Sequence, residues 1–383
     1  MMKTERLTSR DRDEILSVLN RSFTRPGHTA DFEKNLPIMW TGEHDYPSRH
    51  FGVREDGRLI AMLGVYPLPV SIAGHDLLFS TVGNVATLQE ARGKGCMKLL
   101  MDAAMEELAH IGADASRLGG IRSRYNRFGY DHAGRSIRFT LTRRNAAENP
   151  PAQPYRFVPI DENDTHAVSF ARTCQQRSGM YALRRTHLDF YMSMKAWQNI
   201  PYLALDAHGK PIGYLCAAPD GHAVAESGTI QGVSIAEMLC AFVLDHDLSA
   251  LTFSIPPYMQ EDVCVAFAIC ESWIIEPASM FKIINWDRVV SALLDLSASL
   301  RPLPDGHMRI GIDGWGTLEL SVKNGKGCAE KTGAKADLCL SQRMATQLLF
   351  GPIDPGSFIR LPADSPAASW FPLPLSWNGQ DRV

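Results

Sequence analysis

The sequence predicts an α/β fold of the α+β kind, in which a mixed β-sheet is flanked by helices. Apolar strands joined by short turns come first, and such turns make antiparallel hairpins rather than parallel crossovers. A further apolar strand then runs through a glycine-rich turn into an amphipathic helix. The chain has 383 residues, too many for one ordinary domain, so we expect two or three units.

The first unit is predicted to cover residues 1–148 and opens with two helices. The first spans Thr8–Phe23, with a capping-box-like start at Thr8 and Asp11. The second spans Phe32–Trp40, although Pro37 interrupts its pattern. The apolar runs that follow predict the strands Phe51–Arg54, Leu59–Tyr66 and Val70–Ile72, with turns at Asp56-Gly57 and Ala73–Asp76.

The most informative segment joins a strand, a turn and a helix. Leu77–Thr87 is the predicted strand, Arg92–Gly95 the glycine-rich turn, and Lys94–His110 the helix. The first N–H groups of a helix lack intrahelical partners, and the helix dipole adds partial positive charge there. Arg92 and Lys94 add full charges, so the segment predicts a phosphate-binding site.

We considered three alternatives to a phosphate site of this kind. In the first, the helix start is solvated and binds no ligand. A dinucleotide fold requires G-x-G-x-x-G in a parallel unit, whereas Lys98 stands where its third glycine would be, after Gly93 and Gly95. The G-x-x-x-x-G-K-[ST] loop of the P-loop proteins is absent from the sequence.

Residues 85–97 resemble the pyrophosphate-binding run of the GNAT acetyltransferase superfamily, V-x-x-x-P-x-x-R-G-x-G-x-G/A. Gln89 stands where that run has proline, and Met97 where it has Gly or Ala. The resemblance implies that acetyl-CoA is the cosubstrate, held along the strand end and by N–H groups of the turn. The implied binding residues are Val85, Ala86, Thr87, Arg92, Gly93, Lys94, Gly95, Cys96 and Met97.

A second motif follows the next predicted strand, Asp114–Leu118. Tyr125, Gly129 and Tyr130 fit the Y-x-x-x-G-(F/Y) segment that GNAT enzymes often carry. Attack of an amine on a thioester expels a thiolate, and a tyrosine hydroxyl with a pKa of about 10 can protonate it. Tyr125 alone would be interpreted as a core residue. Its position after the predicted pyrophosphate loop makes it the candidate general acid.

The remaining chain is predicted to form two more units, 149–283 and 284–383, after a proline-rich linker at 149–154. Residues 149–283 have the same mixed pattern but no R-x-x-G-x-G run, which indicates a degenerate second GNAT-like domain or a purely structural one. In the last unit Asp313-Gly314 and Asn324-Gly325 predict hairpins, and Ser341–Phe350 a helix. We expect the proline-rich tail to dock through Trp370 and Trp377.

Three units in this order resemble the enhanced-intracellular-survival family of bacterial acetyltransferases. The resemblance implies an active GNAT domain, a second GNAT-like domain and a C-terminal domain similar to sterol carrier proteins. It also implies that Tyr125 is the general acid, that the terminal carboxylate of Val383 is the base, and that the protein is a homo-oligomer, since members of the family often form a hexamer. Glu33 and Glu90 remain alternative bases.

Composition limits the other classes of function. A net charge of −3 gives no indication of nucleic acid or an anionic membrane as partner. Eight scattered cysteines without a C-x-x-C pair, together with a charged N-terminus, predict a cytoplasmic protein with reduced thiols and no metal site. The predicted function is an acetyl-CoA-dependent N-acetyltransferase acting on an amine of a small molecule or peptide. The alternatives are non-catalytic proteins that bind acyl-CoA or an apolar ligand.

Overall fold

In a computed structural model of the chain, residues 2–40, 44–184, 186–361 and 366–381 are described. These residues form three β-sheets with helices packed between and around them. The mixed α/β fold class is therefore confirmed. No helix in the described part of the chain is long and apolar enough to span a membrane.

The first sheet is built from the predicted antiparallel hairpins. The turns Asp56-Gly57 and Ala73-Gly74 have positive φ at both positions, the geometry that a two-residue hairpin turn requires. Its strands lie in the order β1-β2-β3-β4-β5-β15-β6, with β9 paired to the far end of β3. The strands are β1 (Thr4–Arg6), β2 (His50–Glu55), β3 (Arg58–Ile72), β4 (His75–Thr87), β5 (Ala115–Leu118), β6 (Asp131–Ala133), β9 (Met180–Ala182) and β15 (Ser279–Ile283).

Helices cover both faces of the first sheet. The apolar stripe predicted for the central helix is buried against strands β3 and β4. On the other face lie the N-terminal helices and, further along the sheet, the C-terminal tail. The helices are α1 (Arg12–Phe23), α2 (Phe32–Asn35), α3 (Pro37–Trp40), α4 (Cys96–His110) and α5 (Arg122–Tyr125).

Two element predictions are wrong, and proline is the reason in both. The helix predicted over Phe32–Trp40 breaks at Leu36, because the residue before a proline is disfavoured in the α conformation. Leu59–Tyr66 and Val70–Ile72 are one continuous strand, β3. Pro67 and Pro69 are tolerated there because they lie between the segments of β3 that pair with β2 and with β9.

The second sheet has the order β14-β7-β13-β12-β11-β10-β8, in which β10 and β11 form an antiparallel hairpin. Its strands are β7 (Ser136–Thr142), β8 (Arg156–Pro159), β10 (Ile200–Leu205), β11 (Pro211–Ala217), β12 (Ala223–Thr229), β13 (Ala250–Ile255) and β14 (Ser272–Glu276). The accompanying helices are α6 (Arg143–Glu148), α7 (Thr165–Gln176), α8 (His187–Met194), α9 (Ile235–Asp245) and α10 (Gln260–Ile269).

The third sheet has the order β18-β17-β16-β19, and its inner face packs against α11 and α12. Both predicted hairpins are present, with Asn324 and Gly325 at positive φ. The elements are β16 (Gly306–Ile312), β17 (Gly316–Lys323), β18 (Lys326–Thr332), β19 (Leu338–Leu340), α11 (Trp286–Leu300) and α12 (Gln342–Phe350).

Strands are exchanged between the predicted units. β7, from the first unit, lies in the second sheet, whereas β9 and β15, from the second unit, lie in the first sheet. One hydrophobic core joins the third sheet, α11 and the tail to β3 and β4. The unit boundaries at 148 and 283 stay predictions. The first and second sheets share strands across the boundary at 148.

Candidate active site

Strands β4 and β5 separate at the end that precedes the glycine-rich turn. Their parallel pairing runs only from Phe79 to Val82 on β4. Beyond that point, residues 83–87 pair with β3 on one side and with no described strand on the other. The backbone of Val85, Ala86 and Thr87 thus borders an opening in the sheet, where an extended ligand can hydrogen-bond to it.

A β-bulge shapes this opening, and its cause is a buried polar cluster that the sequence analysis missed. The register of β3 and β4 shifts between Met62 and Gly64, and Asn84 adopts φ 53°. Asn84 Nδ2 donates to the Tyr66 hydroxyl (2.8 Å), which in turn donates to Nε2 of His50 (2.7 Å). A Cβ at Gly64 would overlap the Tyr66 hydroxyl, so this position requires glycine.

The ionisation state of this cluster is set by its burial. Burial lowers the pKa of His50 to about 4, so the imidazole is neutral at physiological pH. Its Nδ1 lies 3.1 Å from the carbonyl oxygen of Tyr46, which places the proton on Nδ1 and leaves Nε2 as the acceptor. The cluster therefore fixes the bulge through neutral hydrogen bonds.

The glycine-rich turn leaves room for a ligand at the start of α4. Gly93 and Gly95 have φ values of 80° and 83°, and a Cβ at either would meet nothing within 4 Å. The first helical bonds run from the N–H groups of Lys98 and Leu99 to Gly95. Among the described residues, no backbone carbonyl accepts from the N–H groups of Gly95, Cys96 or Met97, so these donors are available to an anion.

The side chains around the turn have different roles. Arg92 is exposed and forms no ion pair within the described ranges, so its charge is available to a ligand. Lys94 instead binds Glu55 (2.7 Å), and this hydrogen bond raises the pKa of Lys94. The Cys96 side chain is buried, and burial raises the pKa of its thiol, which argues against a nucleophile. Met97 packs against the core beneath α4.

Tyr125 lies at the end of α5 and is part of the hydrophobic cluster that also contains Val82 and Cys96, with Val85 packed against it. The fold therefore gathers Tyr125, the strand end and the helix start in one cluster. Burial raises the pKa of Tyr125, so its hydroxyl remains protonated near neutral pH, as a proton donor must.

A buried carboxylate anchors the helix that carries Tyr125. Asp131 is 1% exposed and accepts from Arg122 Nε (2.6 Å) on α5 and from Arg343 Nε (2.8 Å) on α12. Burial by itself would raise the pKa of Asp131, but the hydrogen bonds from the two arginines hold it below its usual value. α12 of the third unit is thus joined to α5 through one ion-pair cluster, which no sequence motif indicated.

The three candidate bases, Val383, Glu33 and Glu90, differ in their surroundings and in whether the structure describes them. Val383 lies outside the described residues. Glu33 binds Arg12, and Glu90 binds Arg21 and Arg58 at 3.2 Å each. About half of each glutamate side chain is exposed. A base must face a sequestered reaction centre, and these two carboxylates are surface ion-pair partners instead.

The second sheet contains a similar strand–turn–helix connection, from β12 to α9, but the start of its helix is occupied by a carboxylate. β12 pairs with β13 only at Ala223 and Val224 before the strands diverge, and β12 is also bulged. At the start of α9, however, the N–H of Ile235 donates to the carboxylate of Asp262 (2.8 Å). The chain's own carboxylate thus occupies the position where an anion would bind.

A known protein family matches the part of the chain that holds this site. Residues 3–133 match the family model described as an acetyltransferase (GNAT) domain. The matched segment contains the splayed strands, the glycine-rich turn, α4 and Tyr125. Residues 3–133 are therefore similar to a GNAT acetyltransferase domain. A comparison with curated proteins gave no significant match.

Solved structures resemble the chain over nearly its full length. A GCN5-related N-acetyltransferase from Anabaena variabilis is 16% identical, with a TM-score of 0.71 over 99% of this chain and 98% of that one. A probable N-acyltransferase from Enterococcus faecalis is 16% identical, with a TM-score of 0.68 over 98% and 97%. Eis1 from Mycobacterium abscessus is 15% identical, with a TM-score of 0.58 over 90% and 88%. These identities establish a shared fold; the sterol-carrier likeness of the third unit stays a prediction.

Proposed function

We propose that this chain is an acetyl-CoA-dependent N-acetyltransferase that transfers the acetyl group to a primary amine by direct attack. The observation that carries the proposal is the open set of N–H donors at Gly95, Cys96 and Met97, next to the unpaired edge of β4, within a GNAT acetyltransferase domain. In this proposal the N–H donors and Arg92 bind the pyrophosphate, and the edge of β4 orients the pantetheine.

The reaction needs three events that the site's residues can support. The amine nitrogen forms a bond to the thioester carbonyl carbon, and the C–S bond breaks. Tyr125 donates its hydroxyl proton to the leaving thiolate, and a base removes the proton of the new ammonium. No metal is required for these steps.

We assign the role of base to the terminal carboxylate of Val383. The last described turn, Gly379–Asp381, supports this assignment, because its Gln380 and Asp381 are buried, and Trp370 and Trp377 are buried as expected. A terminal carboxylate has a pKa of about 3.5, so it is ionised at neutral pH and accepts a proton through water.

A cavity of about 490 Å³ lies beside the tail and is bordered by residues 376–380, Trp197 and Glu226. Its lining contains none of the residues assigned to acetyl-CoA or to proton transfer, so the proposal gives it no role in the reaction. The rival function, storage of an apolar ligand by the third unit, has less support because α11 and α12 fill the inner face of that sheet.

We also propose that the chain forms a homo-oligomer. β14 is an edge strand, and its Trp273, Ile274 and Ile275 are about half exposed. Exposed apolar edge strands are characteristic interaction sites. Light scattering after size-exclusion chromatography should give a mass above that of one chain, and Ile274→Lys should reduce it. A monomeric wild type would refute this part of the proposal.

The function is tested by measuring thiol release from acetyl-CoA with a panel of amines, namely a lysine-containing peptide, an aminoglycoside and a polyamine. We expect at least one amine to accelerate thiol release and to appear as an acetylated product by mass spectrometry. CoA binding without release for any amine would favour the non-catalytic alternative.

A further inference from the structure

Residues 377–381 of the C-terminal tail pass from the first sheet to the second. The Trp377 ring stacks on Phe79 of β4, with centroids 5.9 Å apart and planes 8° from parallel. The guanidinium of Arg117 on β5 lies 5.7 Å from the same ring. Thr81 and Arg117 are register partners across β4 and β5, so Trp377 lies on the sheet face opposite α4, at the paired segment that precedes the opening.

The next residues are held by buried polar contacts. Trp377 Nε1 donates to the carbonyl oxygen of Asp381 (3.0 Å), which closes the turn. The Asp381 carboxylate binds Arg184 at 2.6 Å, with side-chain exposures of 6% and 10%. Gln380 Nε2 donates to the carbonyl oxygen of Met194 (2.6 Å) at the end of α8. An ion pair buried to this degree is costly to break, because either partner alone would be an uncompensated buried charge.

The same turn rests on the bulge of β12. The register of β11 and β12 shifts between Cys216 and Ala217, opposite Ala225. Gly379 lies so close to Ala225 that a Cβ at residue 379 would overlap the Ala225 carbonyl oxygen. Because this neighbour is backbone, it cannot move aside as a side-chain end would. The bulge of β12 follows its short parallel pairing with β13, as the bulge of β4 follows its pairing with β5, so the tail rests on the equivalent bulge of the second sheet.

We propose that the splayed end of β12 and Arg184 hold the tail, residues 377–381, in the position that the transfer reaction requires. The inference rests on the proposed function, and it makes Arg184 a positioning residue that acts through Asp381. It also gives the second sheet a role: its ligand position is closed to an anion by Asp262 and receives the chain's own tail instead.

The charges near the turn are consistent with tight docking. Glu226 on β12 accepts from the Tyr214 hydroxyl (2.6 Å) and faces the same cluster as Asp381 and Arg184. Burial and the negative charge of Asp381 raise the pKa of Glu226 to about 8. At neutral pH the three side chains therefore carry one positive and one negative charge, without an excess of buried charge.

The test uses Gly379→Ala in the full-length protein, with Gly333→Ala as the matched control. A Cβ at Gly333 would meet nothing within 4 Å, so the control adds the same methyl group in open space. Arg184→Met is the second variant, because it removes the ion pair without touching Gly379, and Arg184→Lys tests for partial rescue. For each protein we would measure kcat and KM for acetyl-CoA with the best amine of the panel, and hydrogen exchange of the peptide covering residues 371–381.

We expect Gly379→Ala and Arg184→Met to lower kcat at least about tenfold with KM for acetyl-CoA unchanged, and to accelerate exchange in the tail peptide. Gly333→Ala should match wild type, and Arg184→Lys should recover part of the rate. Unchanged tail exchange, or faster exchange with an undiminished kcat, would overturn the proposal, as would a change confined to KM.

A truncation after Asn378 separates this inference from the proposed function. An inactive truncation with an active Gly379→Ala variant would reject positioning by β12 while keeping the terminal carboxylate as base. A truncated protein that retains activity would reject both the positioning by β12 and the terminal carboxylate as base. A wild type that releases no thiol with any amine would remove the proposed function, and the positioning role would be lost with it.

Discussion

At the scale of single residues, Tyr125 carries the chemical step of the proposal. The Tyr125→Phe variant keeps the ring that packs against the cluster below α4 and loses only the proton donor. We expect turnover to fall by about 10²–10⁴-fold while affinity for CoA, measured by calorimetry, stays the same. An undiminished rate would mean that water or another group protonates the thiolate.

Tyr66 tests a different property, the stability of the bulge. Tyr66→Phe would remove the 2.8 Å acceptor of the Asn84 amide and the 2.7 Å donor to His50 Nε2, leaving only the 3.3 Å contact between Asn84 Nδ2 and His50 Nε2 in a buried site. We expect the free energy of unfolding in urea to fall by about 1–3 kcal/mol. A loss within error of zero would show that the cluster does not hold the bulge.

At the scale of elements, the two strand–turn–helix connections provide a comparison within one chain. Gly95 and Gly232 have φ values of 83° and 84°, and a Cβ added at either position would have no neighbour within 4 Å. Valine at either residue therefore imposes a similar backbone strain. Only Gly95 lies at the proposed pyrophosphate site.

We expect Gly95→Val to weaken CoA binding strongly, because the added side chain fills the space for the ligand, whereas Gly232→Val should bind CoA like wild type. Calorimetric titration of the two variants gives the comparison. Equal affinities would remove the cofactor assignment from the turn.

Local elements were predictable because local signals determine them. Turns with Gly at positive φ predicted the hairpins of the first and third sheets, and apolar spacing predicted α4. The unbroken strand β3 was not predictable, since its prolines are allowed only by the gap between β2 and β9. The bulge at Asn84 was not predictable either, because it depends on Tyr66 and His50, which lie 18 and 34 positions away in the sequence.

At the scale of the whole molecule, the features that complete the candidate site join distant segments. Arg184 and Asp381 are 197 positions apart, and Asp131 and Arg343 are 212 apart. Single-sequence patterns carry no information on such pairs. The same holds for the exchange of β7, β9 and β15 between sheets, which the predicted unit boundaries did not anticipate.

Glu226 makes the packing of tail and second sheet sensitive to pH. Its pKa is about 8 in the folded protein, above its ordinary value of 4.5, so the folded state binds more protons in this range. The contribution of Glu226 to stability is fully present below its ordinary pKa of 4.5, and it is lost as pH rises through its folded pKa of about 8. Glu226→Gln lacks this dependence.

We therefore expect Glu226→Gln to gain thermal stability relative to wild type between about pH 5 and about pH 9. The exposed Glu106→Gln serves as control and should track wild type across the same range. A constant difference between Glu226→Gln and wild type would show that Glu226 does not titrate in the folded protein.

The most direct measurement for the account as a whole is the stoichiometry of CoA binding by calorimetry. The first sheet has an open strand edge and free N–H donors, whereas the second sheet has Asp262 at the helix start and Gly379 on the bulge. The account predicts one CoA per chain for wild type and the same stoichiometry for Gly232→Val. No binding, or two equivalent sites per chain, would contradict it.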